Sequence, residues 1–213
     1  MKKMDFKLYL VADISLADSP EDYIWKVEEA IKGGVTLVQL RAKELTTKEM
    51  LKLGKLLKDV LDKYNIPLIV NDRVDVAFAL DAHGVHLGED DLPPKIARKI
   101  LGENKIIGYS CDDPKKASIL EKEGIVDYLG TGSVFSTKTK KDAGEVIGID
   151  GLKNVTKSTS LPVVAIGGIN LENVEFLENT GIKGIAVASA IMKSKNPKDT
   201  AQIFRKILNR FIP

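Results

Sequence analysis

A chain of 213 residues with 44% hydrophobic content can bury one sizeable core, enough for a single αβ barrel domain over 1–213. Its 32 basic and 30 acidic side chains leave a net charge of +2, too even a balance to favour nucleic acid as a partner. The single cysteine, Cys111, permits no internal disulfide and no thiolate metal cluster, which fits a cytoplasmic protein, and no run approaches the roughly 20 apolar residues that a membrane span needs.

In chain order, eight short apolar runs alternate with helical patterns. The opening MKKMDFKLYLVAD carries lysines, but its apolar run halts at Asp13 with no small-residue cleavage site, so it reads as a strand and not as a signal peptide. Strands are expected over 7–12, 36–40, 68–70, 84–87, 106–109, 128–130, 163–166 and 184–188. Helices are expected over 22–32, 47–64, 73–80, 93–101, 114–122, 149–157, 171–178 and 197–211. Gly33, Gly34, Gly102, Gly124 and Gly181 follow helices, where a left-handed residue is wanted. Trp25 is expected to pack from the first helix, and Cys111 to be a small buried filler. Strand-helix alternation implies parallel pairing, and eight such units predict an α/β (β/α)8 TIM barrel, with an open doubly wound sheet as the alternative. The polar stretch TGSVFSTKTKKDAGEVIG at 131–148 is too long for an ordinary strand-helix turn and reads as a lid over the barrel mouth.

Chemistry is expected at the carboxyl ends of the strands. Asn71-Asp72 and Asp90-Asp91 end neighbouring runs and would converge there as oxygen ligands for Mg²⁺. The same acids also suit helix starts, at Arg73 and at Pro93-Pro94. In QLRAK, Gln39, Arg41 and Lys43 share a face if extended, an anion clamp as plausible as two solvated loop charges. Gln39, an amide at a strand end, would read a heterocycle. Thr137, Thr139 and Lys140 join hydroxyls to a cation within the long loop. Gly168 in AIGGI and Ala188-Ser189 in AVASA end the last two strands, where barrels bind phosphate through backbone amides. Ser110 would reach a leaving group or serve as a turn serine. His83 and His86, without a third nitrogen or sulfur ligand, read as structural histidines.

The ordered set QLRAK (39–43), NDRVDVA (71–77), GVHLGEDD (84–91), IGYS (107–110), STKTKKDAG (136–144), AIGGI (165–169) and ASAI (188–191) resembles the thiamine-phosphate synthase family over nearly the whole chain. The resemblance implies a TIM-barrel transferase that joins a hydroxymethylpyrimidine diphosphate to a thiazole phosphate, releasing pyrophosphate. It implies that Gln39, Arg41, Lys43, Asn71, Ser110 and Lys140 hold the pyrimidine diphosphate. Thr137, Thr139, Gly168, Ala188 and Ser189 would hold the thiazole phosphate, and Asp72 and Asp91 the Mg²⁺. The chemistry it implies is dissociative, with Arg41, Lys43, Lys140 and Ser110 acting on the departing anion. A related thiazole tautomerase, which would want a pocket histidine, and a non-catalytic barrel that senses a phosphorylated metabolite are the rival readings. The partners are small molecules, and association of the chain with copies of itself is left open.

Overall fold

The computed structural model describes residues 4–136 and 145–213. Eight parallel strands close in sequence order: β1 (Leu8–Asp13), β2 (Leu37–Arg41), β3 (Leu68–Asn71), β4 (Gly84–Leu87), β5 (Ile106–Ser110), β6 (Tyr128–Thr131), β7 (Val163–Ile166) and β8 (Gly184–Val187). Strand β8 pairs back onto β1, so the open-sheet alternative is excluded. Around the barrel run α1 (Pro20–Lys32), α2 (Thr47–Lys63), α3 (Val74–Ala79), α4 (Pro94–Leu101), α5 (Pro114–Glu123), α6 (Gly148–Ser158), α7 (Ser189–Met192) and α8 (Pro197–Leu208). Among the described residues no helix is long and apolar enough to cross a membrane.

The period-2 alternation of each strand divides the core into two compartments. Leu8, Leu10 and Ala12 of β1, with Val38, Leu40, Leu68, Val70, Val85 and Leu87, face outward and pack under the helices. Phe6, Tyr9, Val11, Leu37, Ile69, Ile106, Tyr128, Val164 and Ala186 fill the interior. The interior admits these aromatics because glycines face them. A Cβ on Gly108 would lie 2.2 Å from the Tyr128 ring, and one on Gly130 would lie 2.9 Å from the His86 ring.

At the amino end of the barrel, Arg98 of α4 donates to the carbonyls of Lys105 and Ile125 and pairs with Asp127 at 2.7 Å, while Asp127 accepts the Ile107 amide. This clamp lies at the end of the barrel opposite the strand ends that carry polar residues.

Two expectations are corrected. The seventh crossover, expected to be a helix over 171–178, holds only a 3-10 turn over Val174–Leu177. There the Asn170 side chain accepts the Glu172 amide and the Asn173 side chain accepts the Asn170 amide, each at 2.9 Å, so local side-chain bonds compete with helix propagation. Trp25 does not pack inward, being 47% exposed on α1. That helix begins ahead of the expected position because Ser19 accepts the Asp22 amide and Pro20 opens the first turn. Cys111 is buried, as expected.

Replacing Gly108 by Ala would force the Tyr128 ring from its place. Chemical denaturation of Gly108→Ala should show a loss of about 1–3 kcal/mol, the usual cost of overpacking a filled core; unchanged stability would mean that the ring moves aside freely.

Candidate active site

Strands β1, β2, β3 and β5 end on Asp13, Arg41, Asn71 and Ser110, which ring one mouth of the barrel. Beneath them lies a cavity of about 210 Å³. Its floor is Tyr9 and Tyr128, its walls include Val11, Val164, Ile166 and Ile169, and Gln39, Arg41, Asn71, His86, Ser110 and Asp112 supply polar groups. Gly168, Ala188 and Ser189 line the same cavity from the β7 and β8 side.

Register explains how Arg41 is held. Asp13 and Arg41 are partners across β1 and β2, and the Arg41 guanidinium donates to the buried Asp13 carboxylate. Asp13 is fixed in turn by the Ser15 amide at 3.0 Å and the Ser15 hydroxyl at 2.7 Å. Arg41 is therefore an oriented cation at the cavity wall and not a solvated loop charge. Lys43 lies beyond the end of β2, so the strand does not carry it onto the face shared by Gln39 and Arg41. It lines an adjoining cleft with Asn71 and Asp72, its ammonium 3.6 Å from the Asp72 carboxylate. Asn71 belongs to both spaces and joins them.

Asp72 occupies a strained position. Its φ is +62°, and the Arg73 amide closes a three-residue γ-turn onto the Asn71 carbonyl at 2.7 Å. Its own amide donates to the His86 carbonyl of β4 at 2.9 Å, which swings the side chain across the next strand. Such backbone strain, of order 1–3 kcal/mol, gathers at functional sites. Asp72 does not cap α3, whose cap position is Arg73 without a side-chain bond, and Pro93 likewise leaves α4 without a side-chain cap. The cap reading of Asp72 thus fails, whereas Asp90 and Asp91 do precede a helix that opens at Pro94, without capping it.

The Asp72 side chain instead meets Asp91, which is steadied by the Gly88 amide at 2.6 Å. Burial, then the hydrogen bond and negative charge of Asp91, push the Asp72 carboxyl up to about 6, against the smaller opposing pull of Lys43. Two carboxylates pressed together beside one lysine need a shared proton or a further cation. No cluster of three or more His, Cys, Asp or Glu side chains forms among the described residues. The donor set is hard oxygen and incomplete, which fits Mg²⁺ completed by substrate oxygens and does not fit zinc.

On the opposite wall, Gly167 and Gly168 have φ of +95° and +68°. The close approach that they permit is to the chain after β6: Val134 and Phe135 donate their amides to the Ile166 and Gly167 carbonyls at 3.0 Å each. A Cβ on Gly168 would meet the Phe135 and Ser136 carbonyls at 2.6 and 2.5 Å. Gly168 thus joins two loops as well as lining the cavity. Ala188 and Ser189 lead into α7, a single helical turn. Thr137, Thr139 and Lys140 lie outside the described residues.

Among the polar side chains of the cavity, Tyr9, Asp13, His86, Asp112, Tyr128 and Ser133 escaped the reading of the sequence as site candidates. His83 is structural, accepting the Leu68 amide at 3.1 Å on Nδ1, but His86 faces the cavity. Strand alternation held the clue, because in GVHL His86 shares a face with Gly84, and in LYLVAD Tyr9, Val11 and Asp13 share one. Inside the barrel, Gln39 Nε2 donates to Tyr9 Oη at 2.7 Å, Tyr9 Oη lies 3.0 Å from Tyr128 Oη, and Tyr128 Oη lies 2.9 Å from His86 Nδ1. His86 Nε2 lies 3.0 Å from Ser110 Oγ.

The family model described as thiamine monophosphate synthase matches residues 8–191. The thiamine-phosphate synthase of Clostridium novyi (strain NT) is 46% identical over 204 residues, covering 96% of this chain and 99% of the relative. That of Methanobrevibacter smithii is 46% identical over 198 residues, 93% of each chain. Among solved structures, thiamine phosphate pyrophosphorylase from Pyrococcus furiosus matches with a TM-score of 0.87 at 42% identity, over 97% of both chains. A match across almost every strand and rim loop, together with near-half identity over the full length of these relatives, makes this chain a member of the thiamine monophosphate synthase family.

Proposed function

We propose that the barrel mouth carries out the family's condensation by a dissociative substitution assisted by Mg²⁺. In that reaction an aminopyrimidine bearing a methylene diphosphate is joined to a thiazole phosphate, giving thiamine phosphate and pyrophosphate. The methylene C–O bond breaks and its electron pair leaves with pyrophosphate. The thiazole nitrogen then donates its lone pair to the methylene cation, forming the C–N bond. No proton changes hands, so no general base is required.

One observation carries this reading: the cavity bordered by the clamped Arg41 and the loops at Gly168 and Ser189 adjoins, through the shared Asn71, the cleft that holds Lys43 and Asp72, with Asp91 against Asp72. Asp72 and Asp91 would hold the Mg²⁺, which when bound supplies charge stabilisation for the departing diphosphate. Arg41, Lys43, Asn71 and Ser110 would bind the same anion, and Gln39 would present its amide to the pyrimidine. Arg41 needs no reorganisation on binding because Asp13 already orients it. The apolar walls exclude water from the cation, and proximity of the two substrates supplies much of the rate. Gly168, Ala188 and Ser189 would cradle the thiazole phosphate. Thr137, Thr139 and Lys140 would complete the anion contacts, as the sequence resemblance implies.

The tautomerase reading would use His86, yet both of its ring nitrogens already have partners within the protein, Tyr128 and Ser110. Incubating the two phosphorylated substrates with and without Mg²⁺, and measuring pyrophosphate and thiamine phosphate together, tests the proposal directly. Binding without either product would make the barrel a sensor.

Ser110→Ala should lower turnover by roughly 10²–10³-fold, as the loss of an oriented donor to a developing anion does; unaltered turnover would remove Ser110 from the reaction. Asp72→Asn should raise the Mg²⁺ concentration needed for half-maximal rate. Asparagine tolerates the left-handed backbone and relieves the repulsion from Asp91. The metal-free melting temperature at neutral pH should therefore rise by roughly 2–4 °C, the shift that about 1 kcal/mol gives in a domain of this size. A lower melting temperature, or an unchanged metal titration, would reject the paired-carboxylate site.

The raised Asp72 carboxyl also sets a pH window. A raised carboxyl favours the metal-free fold at low pH, and that contribution is lost as pH rises through about 6, where Asp72 ionises against Asp91. Mg²⁺ must displace that proton, so the thermal stabilisation it confers should be small at pH 5 and grow across pH 6. Calorimetry showing an equal Mg²⁺ shift on both sides of pH 6 would contradict this.

A further inference from the structure

The hydrogen bonds through the barrel interior join five residues on five different strands: Gln39 on β2, Tyr9 on β1, Tyr128 on β6, His86 on β4 and Ser110 on β5. Each link has one proton, and a buried phenol that gave its hydrogen to neither neighbour would leave it unsatisfied, so the direction of the first link sets the others. Gln39 donates from Nε2, which has no lone pair to accept with, so Tyr9 Oη accepts there and sends its own proton toward Tyr128 Oη. Tyr128 must then send its proton to His86 Nδ1. The imidazole proton is left on Nε2, aimed at Ser110 Oγ, and the Ser110 hydrogen is left to point into the cavity that Ser110 lines.

We propose that this chain fixes His86 as its Nε2–H tautomer and thereby makes Ser110 a hydrogen-bond donor toward the cavity, with Tyr9, Tyr128 and His86 as positioning residues. The inference rests on reading Ser110 as a contact to the departing pyrophosphate, an acceptor-only anion that gains from a hydroxyl whose hydrogen already faces it. A free serine rotor would have to be turned when the substrate binds, whereas this one is set beforehand.

Three features of the interior support the assignment. The glycines at 108 and 130 are cut back where Tyr128 and His86 stand, so the sequence makes room for the chain. The two tyrosine rings pack edge to face at 6.1 Å and the His86 ring lies tilted over Tyr128 at 5.4 Å, which holds the heteroatoms in line. Burial also drives both phenols well above their ordinary range, so each keeps the proton that the chain requires.

Long-range ¹H–¹⁵N correlation of the imidazoles tests this without reference to activity, and the chain has only two histidines to resolve. In the unmodified protein at pH 7.5, His86 should appear as the Nε2–H tautomer. In Gln39→Glu the first residue becomes a carboxylate that can only accept, so every bond reverses and His86 should appear as Nδ1–H. Tyr9→Phe should leave His86 a mixture of tautomers and lower kcat about tenfold or more, part of the loss expected for deleting the donor itself, with KM nearly unchanged. An Nδ1–H tautomer, a mixture or an imidazolium in the unmodified protein overturns the proposal. So does an Nε2–H tautomer retained in Gln39→Glu, or a Tyr9→Phe protein with full turnover despite a lost tautomer. If instead the tautomers behave as stated and Ser110→Ala keeps full turnover, the role assigned to Ser110 in the reaction is what fails.

Discussion

A closed eight-stranded barrel has one interior and must fill it from the inward half of each strand. In this chain the filling changes character along the barrel axis. Phe6, Leu37 and Ile106 give a dry base, Tyr9 and Tyr128 give a layer that is apolar in body and polar at its tips, and Asp13, Arg41, Asn71 and Ser110 give a polar rim. The hydroxyls of the middle layer cannot be left alone at that depth, because a buried polar group without a partner costs about 1–3 kcal/mol. They bond to each other and to Gln39 and His86, and in doing so they tie the dry base to the reactive rim.

The rim works through forced neighbours. Strand register sets Asp13 beside Arg41, and a γ-turn thrusts Asp72 toward Asp91. One pair is complementary and locks a cation in place; the other is repulsive and is relieved by a shared proton or by a cation. Both are consequences of backbone geometry more than of side-chain choice alone. The same holds on the far wall, where Gly167 and Gly168 let the loops after β6 and β7 share backbone hydrogen bonds.

Much of this was legible in the sequence. The eight apolar runs fell within a residue of the strands because a buried parallel strand has little option but to be short, apolar and β-branched. Gln39, Asn71 and Ser110 could be picked out because each is polar at the end of such a run. What could not be read was which face of a strand is the inside: the runs are apolar on both faces, so His86 looked like any half-buried histidine until closure placed it opposite Gly130. Lys43 was assigned to the face of Gln39 and Arg41 by alternation, which stops applying where β2 stops. The seventh crossover misled because its apolar spacing is helical while its asparagines form turns.

The left-handed backbone at Asp72 has an evolutionary corollary. Glycine, asparagine and aspartate are the residues that such a position accepts readily, and only aspartate carries charge. Neutral drift there is therefore narrow and leads straight to uncharged residues that spare the scaffold. A lineage released from selection for the proposed turnover would have a short route to a barrel that still folds but lacks the paired carboxylates, so the residue that a paralogue carries at this one position would show whether the pair has been kept.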